Sequence, residues 1–281
     1  MRSKPRTRSQ PSPSSRRARL PNSLFALTSA DARFVIEPIL ADVLADVEEM
    51  SALQDPMEAE LFGARLRSTL CGHWRARMED PDDSIGRTLI RLTEGRVRAD
   101  SLALLVTVAA TWPEPVASHA QAAVTRIVQQ GVALPVWADA VGRVMFVDAK
   151  LGEESTGQFQ VLHVCFEHPG YRRHSFCVLF DRNLGRVLKN VFVTAHVDEV
   201  FPSGPTHPSF PGVTFRSVDA LSAAALIGSG LEVMRSLSPE GREALGPNGD
   251  DQTIVNLLEA RLRVLAPASS LDSSTPTLPA S

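Results

Sequence analysis

Three histidines, two cysteines and a tyrosine fall within fifteen residues, HVCFEHPGYRRHSFC at 163–177, of a chain with seven histidines, three cysteines and one tyrosine in all. Imidazole and thiolate are zinc ligands at about 2.0–2.3 Å. Imidazole beside a thiol also lowers the thiol pKa and makes a nucleophile. His163, Cys165 and His174 are the candidates for either chemistry, with Cys177 as the other thiol within reach. Against both stand two facts of chemistry: most zinc sites use tight CxxC or HxxxH pairs, and free cysteine is usually a small core side chain. The first expectation is therefore a plain hairpin. A metal centre (zinc) or a thiol enzyme at these residues is the alternative.

Whether the side chains meet depends on alternation and register. In FQVLHVCFEH, His163, Cys165 and Glu167 share one face with Val161, while Leu162, Val164 and Phe166 form a fully apolar other face. The apolar face should lie on the core, leaving His163 and Cys165 pointing outward or lining a groove. A two-residue Pro169-Gly170 turn would pair Cys165 with His174. A loop one residue longer would pair His163 with Cys177 and Cys165 with Ser175. Tyr171, Arg172 and Arg173 would then sit at an exposed tip.

Four β-segments are expected around this hairpin: GRVMFVDAKL, GQFQVLHVCFEH, RRHSFCVLFDR and GRVLKNVFVT, rich in Val and Phe and separated by turn residues. They predict an antiparallel meander. Helical periodicity dominates before it. TSADARFVIEPILADVLADVEEM, DPMEAELFGARLRSTLCGHWRARM, DPDDSIGRTLIRLTEG, RADSLALLVTVAATW and PEPVASHAQAAVTRIVQQG each carry an apolar stripe, and several open on Asp or on Asp-Pro. Trp74 and Trp112 belong in that helical core, and Trp137 at the entry to the sheet. Helical patterning returns in VDALSAAALIGSGLEVMRSL from Asp219 and in DDQTIVNLLEARLRVL. The fold class is thus α+β, with an N-terminal antiparallel helical region, a four-strand meander and C-terminal helices. The boundaries read as a basic arm at 1–23, helices at 24–132, the meander at 133–200, a proline-rich connector at 201–213, helices at 214–266 and a tail at 267–281. Composition predicts disorder in the arm and the tail.

Residues 1–30 carry seven basic groups (Arg2, Lys4, Arg6, Arg8, Arg16, Arg17 and Arg19) and no acid, so the remainder holds 22 basic against 32 acidic residues, a net −10. Such an arm can bind nucleic acid weakly by releasing counterions. Its only apolar run, Leu24–Leu27, is too short for an export signal. The longest apolar run, Leu102–Trp112, is too short to cross a bilayer. Three cysteines without CxxC spacing suit a reducing cytoplasm.

The pieces LPVWADAVGRV, HSFCVLFDRNLGRVLKNVFV and LLEARLRVLAP resemble a group of uncharacterised actinobacterial proteins with a helical first half, a small sheet and a helical end. The resemblance implies acids after Gly157 and Lys189; here Gln158 and Asn190 stand there, so any cation bound by those acids would be lost. No activity comes with it. The phosphate-cradling spacings GxxxxGK[ST] and GxGxxG are absent from the sequence, as are GxSxG and HExxH. The leading expectation is a non-enzymatic protein that binds a partner macromolecule. The alternatives are the metal- or thiol-dependent enzyme and the nucleic-acid binder.

Overall fold

The structure, a computed structural model, describes residues 47–72, 74, 78–238, 241 and 249–265. The basic arm, most of the first predicted helix and the tail lie outside the described residues. The end of that predicted helix, Val47–Ala52, is a 3₁₀ turn.

The predicted helices start where their caps are. In α1 (Pro56–Gly72) the Asp55 carboxylate accepts from Met57 N at 2.8 Å, with Pro56 opening the helix. In α2 (Pro81–Glu94) Asp80 accepts from Asp83 N at 3.0 Å. The apolar run becomes α3 (Ala99–Thr111), and α4 (Val116–Gln129) runs out just before Gly131, whose φ of +89° stops it. A short turn, α5 (Val197–Val200), follows the meander. Asp219 caps α6 (Ala220–Ser236) by accepting from Ser222 N at 2.8 Å, and α7 (Gly249–Leu265) closes the described chain. Among the described residues no helix is long and apolar enough to cross a membrane.

The sheet has five antiparallel strands, not four. β1 (Met145–Glu154), β2 (Phe159–Glu167), β3 (Arg173–Asp181) and β4 (Val187–Thr194) form the meander, and β5 (Val213–Ser217) adds to its far edge in the order β4-β3-β2-β1-β5. The fifth strand begins at the end of the predicted connector and occupies the start of the predicted C-terminal helical region. It is five residues long with two buried or half-buried apolar side chains, Val213 and Phe215, so its periodicity is too brief to register in sequence. A bulge between Phe146 and Asp148 inserts Val147 and changes the phase of β1, so that Phe146 and then Ala149 and Leu151 all face the helices.

Two apolar clusters fill the interior. One joins α1–α4 around Trp74, Trp112 and Trp137. The other sets Leu162, Val164, Phe166, Phe176, Val178 and Phe180 of the sheet against Ile227 and Leu231 of α6 and Leu257 and Leu258 of α7. Helix α1 serves both: Ala59, Leu66 and Leu70 face the first cluster and Ala64 the second.

Close approach of α1 to α3 depends on Gly63. Its carbonyl accepts from Trp112 Nε1 at 3.2 Å, and a Cβ placed there would lie 2.5 Å from Thr111 Oγ1. Gly63→Ala is expected to destabilise the protein by about 1–3 kcal/mol through overpacking. Denaturant unfolding measures it, and an unchanged midpoint would show that α1 and α3 can move apart freely.

Candidate functional site

Strand pairing settles the hairpin. His163 pairs with Cys177, Cys165 with Ser175 and Phe166 with His174. Pro169 and Gly170, the latter at φ +79°, sit inside a five-residue loop closed by Tyr171 N donating to His168 O at 3.0 Å. The longer loop is thus the observed one. Because alternate residues face opposite ways, His174 lies on the helix side with Phe166, while His163 and Cys165 lie on the other face. His163, Cys165 and His174 do not converge, and among the described residues no group of three or more His, Cys, Asp or Glu side chains is arranged to hold a metal ion.

Nor do His163 and Cys165 point into water. Both are buried, and over His163 the 201–215 segment folds back across the outer face of the sheet. Phe201, Phe210 and Phe215 surround the His163 ring edge-on at centroid distances of 6.3, 5.1 and 5.7 Å. His163 Nε2 lies 3.7 Å from Cys177 Sγ and its Nδ1 has no partner. Burial, helped by nearby His207, lowers the His163 pKa to about 4. Burial likewise pushes the thiols up, Cys165 to about 11 and Cys177 to about 12. Both thiols therefore stay protonated at neutral pH, and a protonated thiol is a poor nucleophile.

On the helix side, His174 joins a cluster whose members come from four parts of the chain. At its centre is Glu60 of α1, fully buried. Glu60 Oε2 accepts from His168 Nε2 at 3.0 Å and from Arg261 Nη2 of α7, and Oε1 accepts from Gly142 N at 2.8 Å. Burial alone would raise the Glu60 pKa. The charge of Arg261 and the hydrogen bonds from His168 and Arg261 outweigh it and hold the carboxyl well below the usual carboxylate range. The Arg261 guanidinium lies 5.8 and 6.0 Å above the Phe166 and Phe176 rings and 3.4 Å from His174 Nε2. Burial, then the charge of Arg261 and of His168, lowers the His174 pKa to about 3, against an opposing pull from Glu60. A neutral His174 accepts from Arg261 at Nε2, which leaves its Nδ1–H without a partner. Arg261 is the cation that Glu60 and His174 both face.

A second ionic set continues along α1. Arg67 holds Asp82 of α2 with two parallel hydrogen bonds of 3.1 and 2.9 Å and Glu259 of α7 at 2.6 Å, while Arg235 of α6 reaches the other Glu259 oxygen at 2.7 Å. Sequence reasoning missed Glu60, Arg67 and Arg261. Their positions were the available signal: Glu60 and Arg67 recur seven apart on the stripe of Gly63, Ala64, Leu66 and Leu70, and Arg261 falls between Leu257, Leu258 and Leu265.

Concave surfaces open on both the sheet side and the helical side. On the outer sheet face, Phe159, Val161, Cys177, Leu179, Phe192 and Phe210 line a groove of about 280 Å³. Asn190, one of the two amides noted in the sequence, lies at its rim. On the helical side a larger cavity opens beside Arg261. No family model, curated protein or solved structure matches the chain.

The geometry predicts acid sensitivity. His163 and His174 have folded-state pKa values below the ordinary 6.5, so the unfolded chain binds more protons in between. Their stabilising effect is complete above about pH 6.5 and is lost as pH falls toward 4 for His163 and 3 for His174. Each contributes a slope approaching ~1.4 kcal/mol per pH unit in that window. Denaturant unfolding from about pH 7 to about pH 5 should show His163→Leu removing roughly one such slope; an unaltered slope would mean that His163 titrates normally when folded.

The ion pair makes a separate prediction. Glu60→Ala strands Arg261 in the core and should cost about 3–5 kcal/mol. Combined with Arg261→Met, the loss should be smaller than the sum of the two single losses. Additive losses in that cycle would show that the two charges act independently.

Proposed function

We propose that this chain is a non-enzymatic binding protein that takes an extended segment of a partner protein along the outer edge and face of its sheet. The observation that carries the reading is the apolar groove beside β4. Phe192 stands 43% exposed at its border. Among the described residues β4 pairs with β3 alone, so its other edge presents N–H and C=O groups to a new strand. An added strand gains main-chain hydrogen bonds, and its alternate side chains drop into the groove. The acidic remainder of the chain, net −10 beyond residue 30, favours a segment that carries Lys or Arg beside its apolar residues.

The state of the reactive groups supports binding over catalysis. The thiols are protonated, His163 and His174 are neutral and enclosed, and Glu60 is consumed by Arg261 and His168. Three free buried cysteines suit a reducing cytoplasm. The basic arm (Arg2, Lys4, Arg6, Arg8, Arg16, Arg17 and Arg19) adds attraction for an acidic partner surface or for nucleic acid.

Peptides selected from a randomised display library on the full chain, then titrated by fluorescence anisotropy, test the proposal. Phe192→Asp should weaken binding at least about tenfold, or ~1.4 kcal/mol, while Arg143→Gln, on the helical side, should leave it unchanged. A selection that yields no peptide, or peptides that bind Phe192→Asp as tightly as the parent protein, overturns it.

A further inference from the structure

The second cavity has chemistry of its own and does not depend on the groove. It measures about 470 Å³, within the range of small-molecule sites, and lies between α3, α4, the 134–143 turn and the last turns of α7. Its wall is half apolar, from Val106, Ala109, Val124, Leu134 and Val264. Its polar lining is mostly cationic: Arg143, Arg261 and Arg263 against Asp139, with Gln121 neutral. In a chain that is net −10 beyond residue 30, three guanidiniums around one cavity mark it out.

Each arginine stands differently. Arg263 spends Nη1 on Trp112 O at 3.2 Å and Nη2 on Ala110 O, capping the end of α3, and lines the cavity with those donors already occupied. Burial lowers its pKa and the charges of Arg261 and Arg67 add to that, against an opposing pull from Glu114, which is the condition an incoming anion relieves. Arg261 is 2% exposed and gives Nη2 to Glu60, yet its Nε–H has no acceptor. A buried N–H without an acceptor costs about 1–3 kcal/mol. Arg143 stands exposed at the mouth.

We propose that this cavity binds a small organic carboxylate, its anionic end held by Arg143 and Arg261 and its apolar body laid against Val106, Ala109 and Leu134. The planar carboxylate matches the guanidinium fork, and an oxygen entering beside Arg261 supplies the acceptor that Nε–H lacks. A neutral ligand of the same shape gains no charge attraction from Arg143 and Arg263, and a cation is repelled. The apolar wall selects against a bare inorganic anion, which gains nothing from it.

The test is calorimetric titration of the full chain with acetate, butyrate and hexanoate, with hexanamide and inorganic phosphate as comparisons. Affinity should rise about fourfold with each added methylene until the wall is filled, and hexanamide should bind at least about tenfold more weakly than hexanoate. Ala109→Phe, which fills the cavity without touching the arginines, should abolish binding. Arg143→Gln should weaken hexanoate about tenfold while leaving the unliganded melting temperature unchanged. No saturable heat with hexanoate, equal binding of hexanamide, phosphate binding as tight as hexanoate, or full binding by Ala109→Phe would each overturn the proposal.

Discussion

Glu60 is a charged carboxylate in a place water does not reach, and the way the chain satisfies it determines much of the architecture. Taking one ion out of water costs several kcal/mol, repaid only with close counter-charge and filled hydrogen-bonding positions. Here the counter-charge is Arg261 and the hydrogen bonds come from His168, Arg261 and Gly142 N. Those donors belong to α7, to the β2–β3 loop and to the turn before β1, so one side chain of α1 requires three distant segments at once. Arg67 repeats the demand seven residues along, holding Asp82 and Glu259. Two ion pairs a fixed spacing apart define the position of α7 on α1. Sliding α7 by one turn, about 5.4 Å, would break both, whereas apolar contacts between the same helices would tolerate several alignments. The buried charges contribute little net stability by this reckoning, but they select one packing among several.

The sheet meets a related constraint with opposite chemistry on its two faces. Toward the helices, Phe166 and Phe176 carry Arg261 above their rings, and His174 stacks on Phe166 at 5.9 Å. Away from them, three phenylalanines from the 201–215 segment enclose His163. Histidine is therefore buried on both faces, but only one face supplies ionic partners. The loop of Pro169 and Gly170 decides the distribution: one residue fewer would have sent His174 to the side of His163.

Much of the fold was legible in the sequence because its signals are local. Asp55-Pro56, Asp80-Pro81 and Asp219 mark helix starts that the structure places within a residue, and the alternation of Leu162, Val164 and Phe166 picks the core face of β2 correctly. What escaped was long-range. β5 is too short to show a period, and its pairing partner lies more than fifty residues earlier in the chain. The cover over His163 comes from a proline-heavy stretch that composition alone reads as a linker. The ionic cluster escaped for a different reason: periodicity assigns Glu and Arg to the water face by default, whereas Glu60 and Arg261 belong to the buried side of their helices.

The histidine- and cysteine-rich hairpin has the residue types of metal or thiol chemistry, but strand register sends His174 to the opposite face from His163 and Cys165. Reactivity needs a group that is both ionisable in the useful range and open to a substrate. Enclosure by Phe201, Phe210 and Phe215 removes the first property from His163 along with the second, and burial keeps the Cys177 thiol protonated. His174 loses both to Phe166, Phe176 and Arg261. Phe210 serves both as a wall around His163 and as one side of the apolar groove that reaches β4, while a cavity lined by arginines opens beside α7. Surfaces of that kind recognise by shape, hydrogen bonding and charge, and neither recognition requires a titratable group to move a proton.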